Sequence, residues 1–163
     1  MNVKCIMVAL DGSTLAERAL APAAELARDA SATLVLMRAV EAPTLHGSDL
    51  IEAQVAVVRD AEVYLDEQAK RLRRDGIARV ETSVWYGAPA PSIVEAARRH
   101  EADLIVMSSH GRSGIGRLVL GSVAESVLRA TSKSILLVRA PSAPVDTPVR
   151  TIAPREAKEA LHA

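Results

Sequence analysis

The sequence predicts an α/β fold in which a parallel β-sheet is covered by helices on both faces. Short apolar runs alternate with amphipathic stretches in the order βαβαβαβαβ, and this alternation is typical of parallel sheets with helical crossovers. The first run, CIMVAL, is apolar throughout, as expected of a strand that is buried on both faces. The chain of 163 residues favours one domain, which we expect to span residues 1–140.

The alternation also predicts where each element lies. The expected strands are residues 5–10, 32–40, 79–87, 103–109 and 134–140, and the expected helices are residues 14–29, 50–74, 89–100 and 118–129. Residues 141–163 contain four prolines in PSAPVDTPVRTIAP, so we expect a Pro-rich C-terminal tail there, outside the domain.

Local signals justify the helices in order. Thr14 and Glu17 resemble a capping box at the start of the first helix, and Asp75-Gly76 is a typical end for the second. Pro89 suits the first turn of the third helix, where its missing N–H has no intrahelical partner. Gly121-Ser122 lies near the start of the fourth helix.

The strands differ in their patterns. ATLVLMRAV and DLIVMSS are nearly continuous apolar runs, as expected of central strands. RVETSVWYG alternates instead, which favours a position nearer an edge of the sheet. SILLVRA is the last strand, and an apolar edge strand must be paired or covered.

Composition excludes several classes of protein. Lys plus Arg and Asp plus Glu both number 20, so no net field attracts nucleic acid, and an aromatic content of 2% leaves few platforms for stacking bases. No apolar run reaches the length of a membrane span. Cys5, the single cysteine, rules out an internal disulfide and fits a reducing compartment, so we expect the cytoplasm.

The stretch SSHGRSGIGRLVLGS, residues 108–122, carries the strongest functional signal. Three glycines lie within six residues, at 111, 114 and 116, and a fourth stands beside Ser122. Glycine lets backbone approach a ligand closely, and the start of a helix favours an anion. A phosphate cradle and a flexible loop with a helix N-cap both fit this pattern. Neither a Walker A loop nor a GxGxxG fingerprint is present.

Three segments of the chain resemble the universal stress protein family. They are the first-strand ending VALDGS, the strand ADLIVMSSHG and the segment GRSGIGRLVLGSVAESVLRATSKSILLVR. The resemblance covers roughly residues 1–140. It implies a Rossmann-like fold of the adenine nucleotide alpha hydrolase type, with five parallel strands in the order 3-2-1-4-5. It also implies a homodimer in which residues 135–139 meet their copies.

One branch of that family binds ATP through a glycine motif. The motif reads Gly, two residues, Gly, nine residues, Gly, then Ser or Thr; Gly111 and Gly121-Ser122 match its later part, whereas Ser108 stands at its first glycine. The resemblance therefore implies ATP as the ligand and Mg²⁺ as its companion ion. The site residues that it carries over are Ala9, Leu10, Asp11, Val40, Met107, Ser108, Gly111, Arg112, Gly121, Ser122 and Val123.

The resemblance gives these residues distinct roles. Asp11 is expected to take a ribose hydroxyl or to help hold the metal, and Val40 is expected to meet the adenine through its backbone. Met107 and Ser108 would border the ribose. The phosphates would be held by Gly111, Arg112, Gly121, Ser122 and Val123. The same Asp11 could instead cap the first helix, and His110 reads better as a loop residue facing water than as a general base.

The resulting interpretation is a cytoplasmic universal stress protein that binds ATP and acts as a homodimeric sensor or regulator, without enzymatic activity. A second hypothesis is a stress-protein dimer that binds no nucleotide and acts through protein contacts, and Ser108 is the feature in its favour. A third is a slow nucleotide hydrolase on the same scaffold. The sequence favours it least, because no clear base or transferring group is evident.

Overall fold

The computed structural model describes residues 3–41, 49–109 and 120–139. This part of the chain contains ten elements in the order β1 (Cys5–Leu10), α1 (Thr14–Glu17), α2 (Leu20–Ala30), β2 (Thr33–Val40), α3 (Asp49–Arg74), β3 (Val80–Tyr86), α4 (Pro89–Arg99), β4 (Leu104–Ser108), α5 (Ser122–Ala130) and β5 (Ser134–Val138). The predicted tail, residues 141–163, lies outside the described residues.

The five strands form one parallel sheet in the order β3-β2-β1-β4-β5, so the predicted fold class and strand order are confirmed. β1 lies at the centre, with β2 on one side and β4 on the other. The chain therefore builds the sheet outwards from β1 in one direction and then in the other. The carboxyl ends of β1 and β4 mark the point at which the strand order reverses, where ligands bind in such sheets.

Both faces of the sheet are covered, because successive side chains of a strand point to opposite faces. On one face Ile6 and Val8 pack with buried residues of α1, α2 and α3, while on the other Met7 packs with buried residues of α4 and α5. All three of these β1 side chains are fully buried. The near-continuous apolar sequence of β1 reflects this burial on two sides.

The prediction of one helix over residues 14–29 was wrong, because the structure has two. α1 ends at Glu17 and α2 begins at Leu20. Pro22 explains the break: it has no N–H to donate to the carbonyl of Arg18, and its ring would collide with that carbonyl in a continuous helix. The first bond of α2 instead joins the N–H of Ala23 to the carbonyl of Ala19, at 3.2 Å.

The predicted capping box is also corrected. Ser13, not Thr14, is the N-cap of α1, and its Oγ accepts the N–H of Ala16 at 3.1 Å. Glu17 does not return to the cap; its Oε1 accepts a hydrogen bond from the hydroxyl of Tyr64 on α3, at 3.0 Å. The capping box expected of Thr14 and Glu17 is therefore not formed, and Glu17 instead contacts α3, which is distant in the sequence.

The start of α5 lies later than the predicted residue 118. The helix begins at Ser122 with Gly121 as its N-cap, while residues 118 and 119 lie outside the described part of the chain. The other predicted helices agree within one residue, and Pro89 is the first residue of α4 as expected. Within the described ranges, no helix has both the length and the apolar character needed to cross a membrane.

Candidate functional site

A cavity of about 540 Å³ opens at the carboxyl edge of the sheet. It runs from the ends of β1, β2 and β4 to the first turns of α4 and α5 and to the side of α3. Parallel strands bring all their carboxyl ends to one edge, so residues far apart in the chain meet here. The cavity lies at the point where the strand order reverses, where the topology predicts a ligand site.

Nine of the eleven site residues expected from the sequence line this one cavity. They are Ala9, Leu10, Asp11, Val40, Met107, Ser108, Gly121, Ser122 and Val123. The other two, Gly111 and Arg112, lie outside the described residues, as does His110. The structure therefore brings together four separate segments that the sequence analysis assigned to one site.

The first turn of α5 presents backbone donors to the cavity. Ser122, Val123 and Ala124 all line it, and the first N–H groups of a helix have no intrahelical acceptor. The N-cap, Gly121, makes no side-chain capping bond to them. This end of the helix thus combines N–H groups that lack an intrahelical acceptor, the positive end of the dipole and the hydroxyl of Ser122, which together suit an anion.

Asp11 forms a tight turn at the end of β1. Its Oδ1 accepts the N–H of Ser13 at 2.9 Å, and Ser13 in turn caps α1. Asp11 is therefore not the N-cap of the helix, although it orients the residue that is. A carboxylate can accept several hydrogen bonds, so this turn is compatible with a further contact from Asp11 to a ligand in the cavity that it lines.

Sequence reasoning missed Arg38, a partly buried residue near the end of β2 that also lines the cavity. A Cβ placed on Gly12 would lie 3.1, 3.2 and 3.3 Å from Nη2, Cζ and Nη1 of Arg38. Because these three distances are nearly equal, Gly12 packs over the flat face of the guanidinium and not against its edge. The only sequence signal was a charged residue within the apolar run TLVLMRAV.

A tyrosine of α3 also holds this guanidinium. Cζ of Arg38 lies over the ring of Tyr64, 5.1 Å from the ring centroid, an attractive arrangement for a cation and an aromatic ring. The Tyr64 hydroxyl donates to Glu17, which also accepts a hydrogen bond from Gln68 at 3.4 Å. Burial, and then the hydrogen bond to Glu17, raise the pKa of Tyr64, so the hydroxyl keeps its proton and acts as a donor.

The charged residues that line the described part of the cavity are unequal in sign. Asp11, Glu41 and Asp60 are carboxylates, and Arg38 alone is cationic among these lining residues. No group of three or more His, Cys, Asp or Glu that could hold a metal occurs in the described ranges. This lining offers hydrogen-bond donors, acceptors and an apolar floor, which is the composition of a small-molecule binding site.

Comparisons with known proteins agree with this architecture. A family model described as the universal stress protein family matches residues 2–139. The chain is 35% identical over 137 residues, 83% of its length and 98% of the relative's, to a Thermus aquaticus protein named as a universal stress protein.

Two solved structures of this family are similar as well. One, from Burkholderia pseudomallei, is 33% identical with a TM-score of 0.69, covering 85% of this chain and 97% of the other. Another, a universal stress protein in complex with cAMP, is 27% identical with a TM-score of 0.61, covering 85% of this chain and 98% of the other.

Proposed function

This chain belongs to the universal stress protein family, and we propose that it binds ATP, with Mg²⁺ as the companion ion, in the cavity at the carboxyl edge of the sheet. The observation that carries this proposal is the convergence of Asp11, Ser108, Gly121 and Ser122 on one cavity of about 540 Å³. A similar structure of the family is a complex with cAMP, which supports an adenine nucleotide as the ligand class.

The start of α5 is the proposed phosphate site. Its N–H groups and the Ser122 hydroxyl are donors, and the positive end of the helix dipole lies there. Gly111 and Arg112 belong to this part of the proposal by their place in the sequence. Ala9, Val40 and Met107 line the cavity from three adjacent strands. Their apolar side chains would make van der Waals contacts with the nucleoside.

Asp11 is the proposed partner of the ribose or of Mg²⁺. A carboxylate oxygen is the kind of ligand that Mg²⁺ prefers, and this ion is usually held by one or two carboxylates together with substrate phosphates. Of the three carboxylates that line the cavity, Asp11 follows the central strand β1, which adjoins β4, whereas Glu41 follows β2 and Asp60 belongs to α3. This proposed role requires the second set of ligands to come from the nucleotide itself.

We place the biological role in signalling and not in catalysis. Binding across β1, β4 and α5 would shift the population of forms that a partner recognises. Phosphate release well above background that disappears in Asp11→Ala would contradict this assignment.

The proposed assembly is a homodimer through β5. This strand is an edge of the sheet, paired only with β4 within the described chain, and its side chains from Ile135 to Val138 are partly exposed. An apolar edge with unpaired backbone groups favours association with a second strand. Light scattering at micromolar concentration should give twice the monomer mass, and a monomer mass would contradict the dimer.

The decisive experiment has two stages. Mass spectrometry of the ligand released from freshly purified, denatured protein identifies any nucleotide carried through purification. Nucleotide-free protein is then titrated with Mg·ATP in a calorimeter, and saturable binding is expected. If no heat of binding appears, the nucleotide proposal fails, and the hypothesis of a dimer that acts through protein contacts alone, which Ser108 favours, remains.

A further inference from the structure

We infer that Arg38 reads the edge of the bound purine and makes the cavity accept 6-oxopurine nucleotides, those of guanine and hypoxanthine, at least as well as adenine nucleotides. This inference rests on the proposed nucleotide site and concerns which base it takes. It follows from the position of Arg38, from the way its guanidinium is held, and from the hydrogen-bonding chemistry of purines.

The position comes from the strand order. The proposed phosphate site begins at Ser122, beside the end of β4, whereas Arg38 belongs to β2, which is separated from β4 by β1. Neighbouring strands lie about 4.8 Å apart, so β2 and β4 are about 10 Å apart. A nucleotide that lies across the strand ends with its phosphates at α5 therefore brings its base to β2, beside Arg38.

The guanidinium is oriented before any ligand binds. Gly12 covers one flat face, and Tyr64 contributes its ring at 5.1 Å, while the hydroxyl of Tyr64 is tied to Glu17. Gly12 packs against the flat face of the guanidinium, and the Tyr64 ring lies near its central carbon. Neither group accepts a hydrogen bond from the N–H groups of Arg38. Among the described residues, no hydrogen bond or ion pair joins the Arg38 side chain to another residue, and Arg38 lines the cavity.

The chemistry of the purine edge then decides the preference. A guanidinium has donors and no acceptor. Guanine presents O6 and N7 side by side, both acceptors, whereas adenine presents the acceptor N7 beside the donor N6 amino group. Two parallel donors of Arg38 therefore match a 6-oxopurine, and the adenine amino group would face them donor to donor.

The test compares base preference in matched variants. Nucleotide-free protein is titrated with Mg·ATP, Mg·GTP and Mg·ITP, and the wild type should bind GTP and ITP at least as tightly as ATP. Arg38→Met keeps an unbranched apolar side chain and removes the donors, so the affinity for ITP relative to ATP should fall roughly fivefold or more. Arg38→Lys keeps the charge without the planar fork and should lose part of the same preference.

Arg28→Met is the control, because Arg28 lies near the end of α2 at the opposite edge of the sheet, where it donates to the carbonyl of Asp75. It removes the same charge and should leave the ITP-to-ATP ratio unchanged. Circular dichroism of each variant confirms that the sheet is intact, and Arg38→Lys keeps the test valid if Arg38→Met fails to fold.

Several results would overturn the inference, and they are distinguishable. ATP binding with an unchanged ratio in both Arg38 variants would remove the base-reading role and leave the proposed function intact. An equal loss for ATP, GTP and ITP, with no loss for adenosine and inosine, would assign Arg38 to a phosphate. Failure of the wild type to bind any of the three nucleotides would overturn both this inference and the proposed function.

Discussion

The backbone N–H of Gly121 donates to the carbonyl of Ser109 at 2.8 Å. This bond ties the start of α5 to the end of β4, although eleven residues of the glycine-rich stretch separate the two in the sequence. It places the N-cap of the helix beside the strand that ends at the cavity. This contact with the sheet therefore helps to set the direction of the first N–H groups of α5.

Gly121→Val should weaken Mg·ATP binding at least tenfold, about 1.4 kcal/mol, while the protein stays folded. Gly121 has φ −59° and ψ 144°, a backbone conformation that any residue adopts, so a side chain adds no local strain. The expected loss comes from blocked approach of the ligand to the helix start. Calorimetric titration and thermal melting together check it, and unchanged affinity would show that no phosphate approaches this residue.

Ser122→Ala should reduce Mg·ATP affinity roughly fivefold to tenfold, because it removes one hydroxyl donor to a charged acceptor, worth about 1 kcal/mol or somewhat more. The hydroxyl belongs to an exposed residue that lines the cavity, so stability should change little. Ser134→Ala, an exposed serine at the start of β5, is the matched control. Equal affinities for both variants would exclude a hydroxyl contact.

Asp11→Asn and Asp11→Ala should distinguish the structural role of Asp11 in the turn from its proposed contact with the ligand. Asparagine keeps an oxygen for the N–H of Ser13, the bond that measures 2.9 Å in the structure, whereas alanine does not. We expect Asp11→Asn to melt like the wild type but to bind Mg·ATP and Mg·ADP more weakly, and Asp11→Ala to lose stability as well. If Asp11→Asn binds both nucleotides normally, the carboxylate has only a structural role.

Gly12→Ala should destabilise the protein more than Gly76→Ala. Both glycines have positive φ, +83° and +90°, and alanine there costs about 1–2 kcal/mol in each case. Only Gly12 carries a further cost, since its new Cβ would lie 3.1 Å from Arg38 Nη2, whereas nothing lies within 4 Å of the Cβ position at Gly76. Denaturant unfolding measures both variants, and the excess loss should shrink in an Arg38→Met background. Equal losses at the two glycines would contradict the contact.

Asp103 should stabilise the fold at neutral pH and lose that effect in acid. Its Oδ2 accepts the N–H groups of Lys4 at 2.7 Å and Cys5 at 3.0 Å, and these bonds, that of Lys4 first, hold the pKa of Asp103 below its ordinary value of 3.8. A lowered folded-state pKa contributes stability above the unfolded pKa, and this contribution disappears as the pH falls through the folded pKa.

The measurement for Asp103 is the free energy of unfolding of the wild type and of Asp103→Asn across a pH series. The wild type should be the more stable at about pH 7, and the difference should shrink below about pH 4. Glu101→Gln, on a neighbouring exposed residue, controls for the loss of one negative charge. A difference that does not change with pH would mean that the charge of Asp103 does not contribute to stability.

Local patterns in the sequence were sufficient for most of the architecture. A continuous apolar run predicts a strand buried on both faces, as in β1, and an alternating run predicts an edge strand, as β3 is. The burial along β3 does not follow the alternation, since Thr82 and Tyr86 are exposed. Such patterns depend on neighbouring residues alone, because the spacing of apolar side chains along a strand or helix decides which face can pack against a core. They failed at Pro22, where the missing N–H and the ring divided one expected helix into α1 and α2, and at Thr14, where the neighbouring Ser13 took the cap.

By itself the sequence determined the element order, the buried faces and the edge of the sheet at which a site would form, because periodicity and turn residues act over short distances. The resemblance to a known family supplied the strand order and the set of site residues, nine of which line one cavity. Only the tertiary structure decided that Arg38 would lie between Gly12 and Tyr64. Those three residues belong to the β1–α1 turn, β2 and α3, and no local pattern encodes a contact that exists only once the strands are ordered and the helices are packed upon them.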